Sequence, residues 1–530
     1  MAFKRSSGIL LHPSSLPGPY GIGDLGPQSY RFIDWLASTG CKLWQILPLG
    51  PTGYGDSPYQ CFSAFAGNPY LLSPDEMLAD GLLTQDDLDG MKDLPASRDS
   101  SARLRINFGL LIPKKLDLLQ KAFSRFQSNP STRLRTSPEH LRGDPATYPA
   151  GTMSLRASFD SFCAENASWL DDFALFMALK AANGGGAWNG WPVALRSRKK
   201  SAMTKARKEL AESINRYSFY QFLFFRQWNQ VRAYAHEKGI QIIGDIPIFV
   251  AYDSADVWAR PDLFFLDENG NPTVVAGVPP DAFSATGQLW GNPLYNWEVH
   301  KKEGYAWWLS RVRASLQFMD ILRFDHFRGF AGYYEIPAEH TTAQNGHWVP
   351  GPGQDLFRTV DKYLRDGLTT TGAGLPIIAE DLGFITPDVV ELRDAFDLPG
   401  MKVLQFGFSG PDNPFLPHNY FPNCVAYTGT HDNDTAFGWL VNAQDHERDF
   451  AKRYLNTDGH DFAWDLIRAV WRSVAIFAIA PMQDVLSLGG EARMNFPSTL
   501  GGNWEWRMSK NDLNEDLAAG LRDLNWVTNR

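Results

Sequence analysis

Met319-Asp-Ile-Leu-Arg-Phe-Asp-His-Phe-Arg-Gly329 is the stretch on which the fold turns. Ile321 and Leu322 form a short apolar run, of the kind that fills a parallel strand buried on both faces. Charged and aromatic residues then alternate from Arg323 to Arg328, and Gly329 offers a sharp turn out. Ionisable groups at the end of a buried strand need partners or a task, because taking a charge out of water is costly. In a (β/α)8 barrel, the C-terminal strand ends form the mouth where catalytic groups gather. The stretch alone also fits a strand end closed by an Arg–Asp ion pair.

Working outward, seven further segments read as strands: residues 8–12, 42–47, 240–247, 375–383, 401–406, 423–427 with a polar loop to 435, and 480–486. Helical spacing of apolar residues separates several of them, at 28–38, 219–238, 307–318, 387–396 and 462–477. Pro387 stands at a favoured helix start. Eight strands alternating with helices, with no internal repeat, predict an α/β fold, a (β/α)8 TIM barrel with mostly helical insertions. A single catalytic barrel would span 1–530. Residues 72–226 break the rhythm and read as mostly helical insertion. Residues 247–300 read as a loop-rich insertion over the cleft, and 335–373 as a smaller one. Lys199, Lys200, Lys205 and Lys208 read as a solvated helix face.

A net charge of −9 and a pI near 5.7 disfavour nucleic acid, whose phosphates need a basic face. The aromatic content is high: 18 Trp, 18 Tyr and 35 Phe. Core packing is the default use of such rings, and any left exposed suit the apolar faces of sugars. Cys41, Cys61, Cys163 and Cys424 lack paired or metal-type spacing, so free thiols in a reducing, cytoplasmic setting are expected. The N-terminus has no apolar signal core, and the apolar run 474–480 is too short for a bilayer, so no membrane is expected. No His/Cys cluster suggests zinc. The Asp432-Asn-Asp434 run lacks the further oxygen ligands of a calcium loop, and no phosphate or dinucleotide loop appears. Neither metal nor cofactor is therefore expected.

Four carboxylates end strands or follow them: Asp245, Asp325, Glu380 and Asp432. In a barrel they would converge at one mouth. A retaining glycosidase needs an ionised carboxylate as nucleophile and a carboxyl of raised pKa as acid/base, roughly 5–5.5 Å apart. Arg323 lies two residues before Asp325, so both should face the same side, and its charge would keep Asp325 ionised. Each carboxylate taken singly has a plainer reading. Glu380 and Asp381 are adjacent, and only one can face the mouth. The 432–434 run also fits a polar turn. The loop Gly50-Pro-Thr-Gly-Tyr-Gly-Asp-Ser-Pro-Tyr-Gln60 combines turn formers with Tyr54 and Tyr59 at the end of a strand, where functional loops sit.

With these residues together, the chain resembles the amylomaltases, the 4-α-glucanotransferase or disproportionating-enzyme family, over nearly its whole length. Five motifs carry the resemblance: Gly53-Tyr-Gly-Asp-Ser-Pro-Tyr-Gln60, Gly287-Gln-Leu-Trp-Gly-Asn-Pro293, Arg323-Phe-Asp-His-Phe-Arg-Gly329, Ala379-Glu-Asp-Leu-Gly383 and Thr430-His-Asp-Asn-Asp-Thr435. The resemblance implies retaining transfer of α-1,4-glucan segments from an α-glucan or maltooligosaccharide donor to a sugar acceptor. It implies Asp325 as nucleophile, Glu380 as acid/base and Asp432 as transition-state stabiliser. It places Arg323, His431 and Asp245 around the cleaved linkage, Ser57 and Tyr59 on the donor side, and Gln288 and Trp290 on a mobile loop over the cleft. Tyr54 matches a second glucan-binding site, and Asn495 and Pro497 a further cleft-lining segment. Two departures, Ala282 where Tyr is common and Phe496-Pro497-Ser498 where Thr-Pro-Gly is common, bear on product size and acceptor preference. Transfer requires shielding the intermediate from water, and residues 278–290 with the 53–60 loop are the expected shield. The alternatives are an α-amylase-like retaining hydrolase using the same carboxylates, and a non-catalytic glucan-binding barrel.

Overall fold

Eight parallel strands close into a barrel in the computed structural model of the chain, which describes all residues except 1–2, 93, 95–96, 99–103, 129–132, 136–149, 281–283 and 368–373. The strands of the chain's two main sheets are β1 (Ser6–Leu10), β2 (Leu43–Gln45), β3 (Gln241–Pro247), β4 (Val274–Val278), β5 (Gln288–Pro293), β6 (Ile321–Asp325), β7 (Gly332–Pro337), β8 (His347–Pro350), β9 (Ile377–Ala379), β10 (Gly400–Val403), β11 (Cys424–Tyr427) and β12 (Phe477–Pro481). The barrel runs β1–β12–β11–β10–β9–β6–β3–β2 and back to β1. Its strands are short and apolar and lie almost wholly out of water, as a sheet covered by helices requires. Register sets the chemistry. Arg323 of β6 stands beside Asp245 of β3, and Phe324 beside Ala379, the residue before Glu380.

The opening stretch behaves as a barrel strand, with one correction. Gly329 does not make the turn. It sits in the short helix Arg328–Ala331, and the left-handed residue is His326, at φ 54°. Gly329 is required for closeness instead, since a Cβ there would lie 2.8 Å from Ile248 Cδ1.

The last strand also differs from expectation. The reading of 480–486 as a strand and 462–477 as a helix is shifted along the chain. The helix is Phe462–Arg472, the strand is Phe477–Pro481, and Met482–Val485 is a helical turn. Alanines at 478 and 480 made the strand look helical, and Val485-Leu486 offered a misleading apolar end. Pro481 ends the strand because it has no N–H to donate to the ladder.

Between β2 and β3 lie the helices Pro74–Ala79, Gln85–Lys92, Phe108–Ser128, Leu155–Ala182, Lys200–Glu209 and Ala211–Glu237. The last of these runs unbroken through residue 226, so that position marks no boundary, and it starts earlier than the spacing suggested. Rings hold this region together and to the barrel: Phe126 stacks on Phe219 at 4.5 Å within it, and Phe225 meets Phe318, on the helix before β6, at 4.6 Å. The Trp228 indole donates to the Phe318 carbonyl, which ends the helix before β6.

The 247–300 and 335–373 regions are less loop-like than the sequence suggested. They supply β4, β5 and β8, which join β7 in an antiparallel sheet ordered β8–β7–β4–β5. Gln288 and Trp290 thus lie on the second strand of a β4–β5 hairpin, and Ala282 and Phe283 fall outside the described residues. None of the described helices is long and apolar enough to cross a membrane.

Candidate active site

Arg323 is the centre from which the mouth is built. Its Nη1 donates to Asp245 Oδ2 at 2.6 Å and lies 2.9 Å from Asp325 Oδ1, while its Nε contacts Met401 Sδ. The Arg323 and Asp245 side chains are 5% and 0% exposed, but Asp325 is 29% exposed. The first two therefore form a buried floor, and Asp325 rises from it into the cleft. The alternation of a strand puts residues 323 and 325 on one face, which lets one guanidinium serve both carboxylates.

Glu380 follows β9 directly. Its carboxyl accepts the His326 N–H at 2.7 Å and the Leu382 N–H at 3.0 Å. The first bond ties it to the residue next to Asp325. Burial, and then the charge of Asp325, push the Glu380 carboxyl up to about 8, against the opposing pull of Arg323 and of the two N–H donors. Its neighbour Asp381 turns the other way, to Arg393 Nη1 at 2.6 Å and the Met401 N–H at 2.7 Å. One of the adjacent pair faces the mouth and the other braces the barrel.

Asp432 lies on the loop after β11. Asn495 Nδ2 donates to its Oδ1 at 2.7 Å, and His431 Nε2 lies 3.4 Å from its Oδ2. Arg493 holds the backbone, donating to the carbonyls of Asp432 at 2.6 Å and Asn495 at 2.7 Å. The polar-turn reading of this run is realised by its other members: Asn433 accepts from the Thr430 N–H, and Asp434 accepts from the Thr435 N–H at the start of the helix Ala436–Asn442.

Tyr59 joins the two halves. Its hydroxyl donates to Asp245 Oδ2 at 2.9 Å, and its ring stacks on His431 at 5.1 Å. Burial holds the His431 imidazole below its ordinary range, so the ring is neutral near pH 7. Ser57 Oγ accepts the Tyr59 N–H. Gln60 reaches Asn292 of β5 at 3.4 Å, linking the 53–60 loop to the hairpin. On β5, the Trp290 indole donates to Gln288 Oε1 and meets the His326 ring edge-on at 4.8 Å. Tyr54 begins the short turn Tyr54–Asp56. Pro497 is exposed on the 495–500 loop, beside Phe496, whose ring lies under Arg493.

The mouth thus gathers Asp245, Arg323, Asp325, Glu380, Tyr59, His431, Asp432 and Asn495 through direct contacts. Sequence reasoning missed Arg493, which carries no motif of its own, and the backbone of His326, since a left-handed φ leaves no mark in residue type. Asp245 Oδ1 and His326 Nε2 are buried with no hydrogen-bond partner in the protein. Both suit the hydroxyls of a bound sugar. Among the described residues, no group of three or more His, Cys, Asp or Glu side chains could hold a metal.

A family model described as 4-alpha-glucanotransferase matches residues 11–513. The 4-alpha-glucanotransferase of Thermus thermophilus is 48% identical, covering 100% of both chains. That of Synechocystis sp. is 46% identical, covering 98% of this chain and 97% of its own. The structure of amylomaltase from Streptococcus agalactiae in complex with acarbose superposes with a TM-score of 0.89 at 39% identity, covering 99% of this chain and 100% of that one.

Proposed function

Since the chain belongs to the 4-alpha-glucanotransferase family, we propose that Asp325, Glu380 and Asp432 carry out its glucan transfer as a retaining double displacement. Asp325 attacks the anomeric carbon while Glu380 gives its proton to the glycosidic oxygen. The leaving glucan departs with a free hydroxyl, and the donor segment stays bound as an ester of Asp325. An acceptor hydroxyl then attacks the same carbon. Glu380 takes its proton, the ester bond breaks, and a new α-linkage forms. Asp432, held by His431 and Asn495, stabilises the positive charge that builds on the sugar ring.

The observation that carries this reading is the unequal treatment of two carboxyls. Asp325 is paired with a guanidinium, and Glu380, tied to the next residue, keeps its proton. Tyr59, Asp245, Arg323, His431 and Asn495 hold the ring at the cleavage point. Ser57, Gln288, Trp290, Tyr54 and Pro497 contact more distant parts of a maltooligosaccharide donor or a sugar acceptor. The 53–60 loop and the β4–β5 hairpin keep water from the ester, and trimming the hairpin tip at Phe283 should raise hydrolysis relative to transfer. The chain functions as one catalytic barrel, 1–530, with an insertion that starts near 72 and ends at the helix Ala211–Glu237, and further insertions over 247–300 and 335–373. Its four cysteines are free thiols, which fits the cytoplasm.

Incubation with maltotriose is the test. A ladder of longer oligosaccharides together with glucose is expected. A drift to small sugars without lengthening would favour the hydrolase.

A further inference from the structure

Phe384 is an apolar ring left in water beside the mouth, with 68% of its surface exposed. It lies on the loop that leaves Glu380, four residues on, so its Cα is at most about 14 Å from that of the acid/base. The loop is fixed at both ends of this span. Leu382 N–H donates to Glu380 Oε1, and Arg328 Nη1 donates to the Phe384 carbonyl and to Thr386 Oγ1. The Arg328 guanidinium also lies 3.5 Å from the centre of the Trp348 ring and 5.6 Å from that of Phe384. Arg328 is itself buried, at 7% exposure. Arg328, packed on Trp348 of β8, thus lies under a ring most of whose surface meets solvent.

We propose that Phe384, braced by Arg328 and Trp348, is a stacking platform for the leaving and acceptor segments of the α-glucan. The inference rests on the reading of Glu380 as acid/base. A group that protonates the departing oxygen stands on the side of the departing chain, and Phe384 continues that side outward. An exposed aromatic face beside a guanidinium suits the apolar face of a glucosyl ring, and the anchored backbone beneath it lowers the cost of ordering. No charged group is needed, because the ligand is neutral. Glucose, one ring long, would end before the platform, whereas a longer acceptor would reach it.

Radiolabelled glucose, maltose and maltotetraose, each offered as acceptor with amylose as donor, measure the platform directly. Phe384→Ala should leave kcat/KM for glucose unchanged and lower that for maltotetraose roughly three- to tenfold, the scale of one lost ring contact. Phe384→Trp should restore it. Equal losses for all three acceptors, or no loss for any, would overturn the platform. Titration of maltoheptaose into Glu380→Gln and into Glu380→Gln/Phe384→Ala reads binding without turnover. Weaker binding by the double variant supports the platform even if the assigned chemistry fails. Unchanged binding refutes it even if transfer to glucose is intact.

Discussion

Arg323 faces Asp245 and Asp325 at contact distance and acts on Glu380 as well, so one cation serves three carboxyls. The third is left with its proton. Asp325→Asn removes the proposed nucleophile and should lower turnover on the order of 10⁴-fold or more, with glucan binding retained in a titration. Wild-type turnover in that variant would end the mechanism. Glu380→Gln should cost about 10²–10⁴-fold, the usual contribution of a positioned acid/base. Because the proposed acid must carry its proton and the proposed nucleophile must have lost its own, the pH profile should be bell-shaped, with activity falling as pH rises through about 8, and this basic limb should vanish in the residual activity of Glu380→Gln. The same shift affects stability. The unfolded carboxyl ionises near 4.5 and the folded one near 8, so the unfolded chain binds fewer protons in that window and stability falls as pH rises through it. Glu380→Gln escapes this loss, and its Tm should exceed that of the wild type by a margin that grows from pH 5 to pH 9. The three catalytic candidates were legible because each is a carboxylate at the end of an apolar run or, for Asp432, in the polar loop that follows one. His326 was not, because its contribution is a backbone N–H delivered from a left-handed φ. His326→Val should strain that residue by about 1–2 kcal/mol and lower kcat, whereas His326→Gly should keep the N–H in place. Equal kcat in the two variants would dismiss the backbone role.

Elements were legible where type and period agreed. The buried strands β3, β6 and β11 announce themselves as apolar runs ending in polar residues. β12 was misplaced because Phe-Ala-Ile-Ala is as compatible with a helix as with a strand. Only pairing with β1 and β11 decides between them. β4, β5, β7 and β8 were hidden for a different reason. The β4–β7 pairing that unites them joins segments far apart in sequence, and glycines and prolines within them resemble loop. Close packing within the barrel wall is equally invisible from one sequence. A Cβ on Gly244 of β3 would sit 1.5 Å from Met319 Sδ, the residue that leads into β6. Gly244→Ala should therefore destabilise the protein by about 1–3 kcal/mol or more through overpacking. It should also lower activity, since Asp245 is the next residue. A Tm equal to wild type would show that Met319 simply moves aside.

Across the whole molecule, the helical region between β2 and β3 is bound to the barrel by more than rings. Lys115, on the helix Phe108–Ser128, is buried and donates to the Leu72 carbonyl. Its charge acts on Asp24, a buried residue in the loop after β1. Burial pushes Asp24 up to about 7 and Lys115 down to about 8, each opposed by the other's charge. Removing one member strands the other out of water, so Lys115→Met should cost about 3–5 kcal/mol. The double variant Asp24→Asn/Lys115→Met should recover part of that loss in scanning calorimetry. Additive losses would show that the two charges do not depend on each other.

Ring closure sets a schedule for the growing polypeptide. Residues 6–10 pair on one side with residues 43–45, which leave the ribosome soon after, and on the other with residues 477–481, which emerge only after every other strand of the barrel. Until then the first strand keeps an open edge, free to bond with a neighbouring nascent chain. The final stitch is reinforced by Arg530, which donates to the Ser6 carbonyl, and by Arg5, which reaches the Ser473 carbonyl. The sugar-processing mouth therefore cannot assemble piecemeal, and synthesis must pass residue 481 before any linkage can be exchanged.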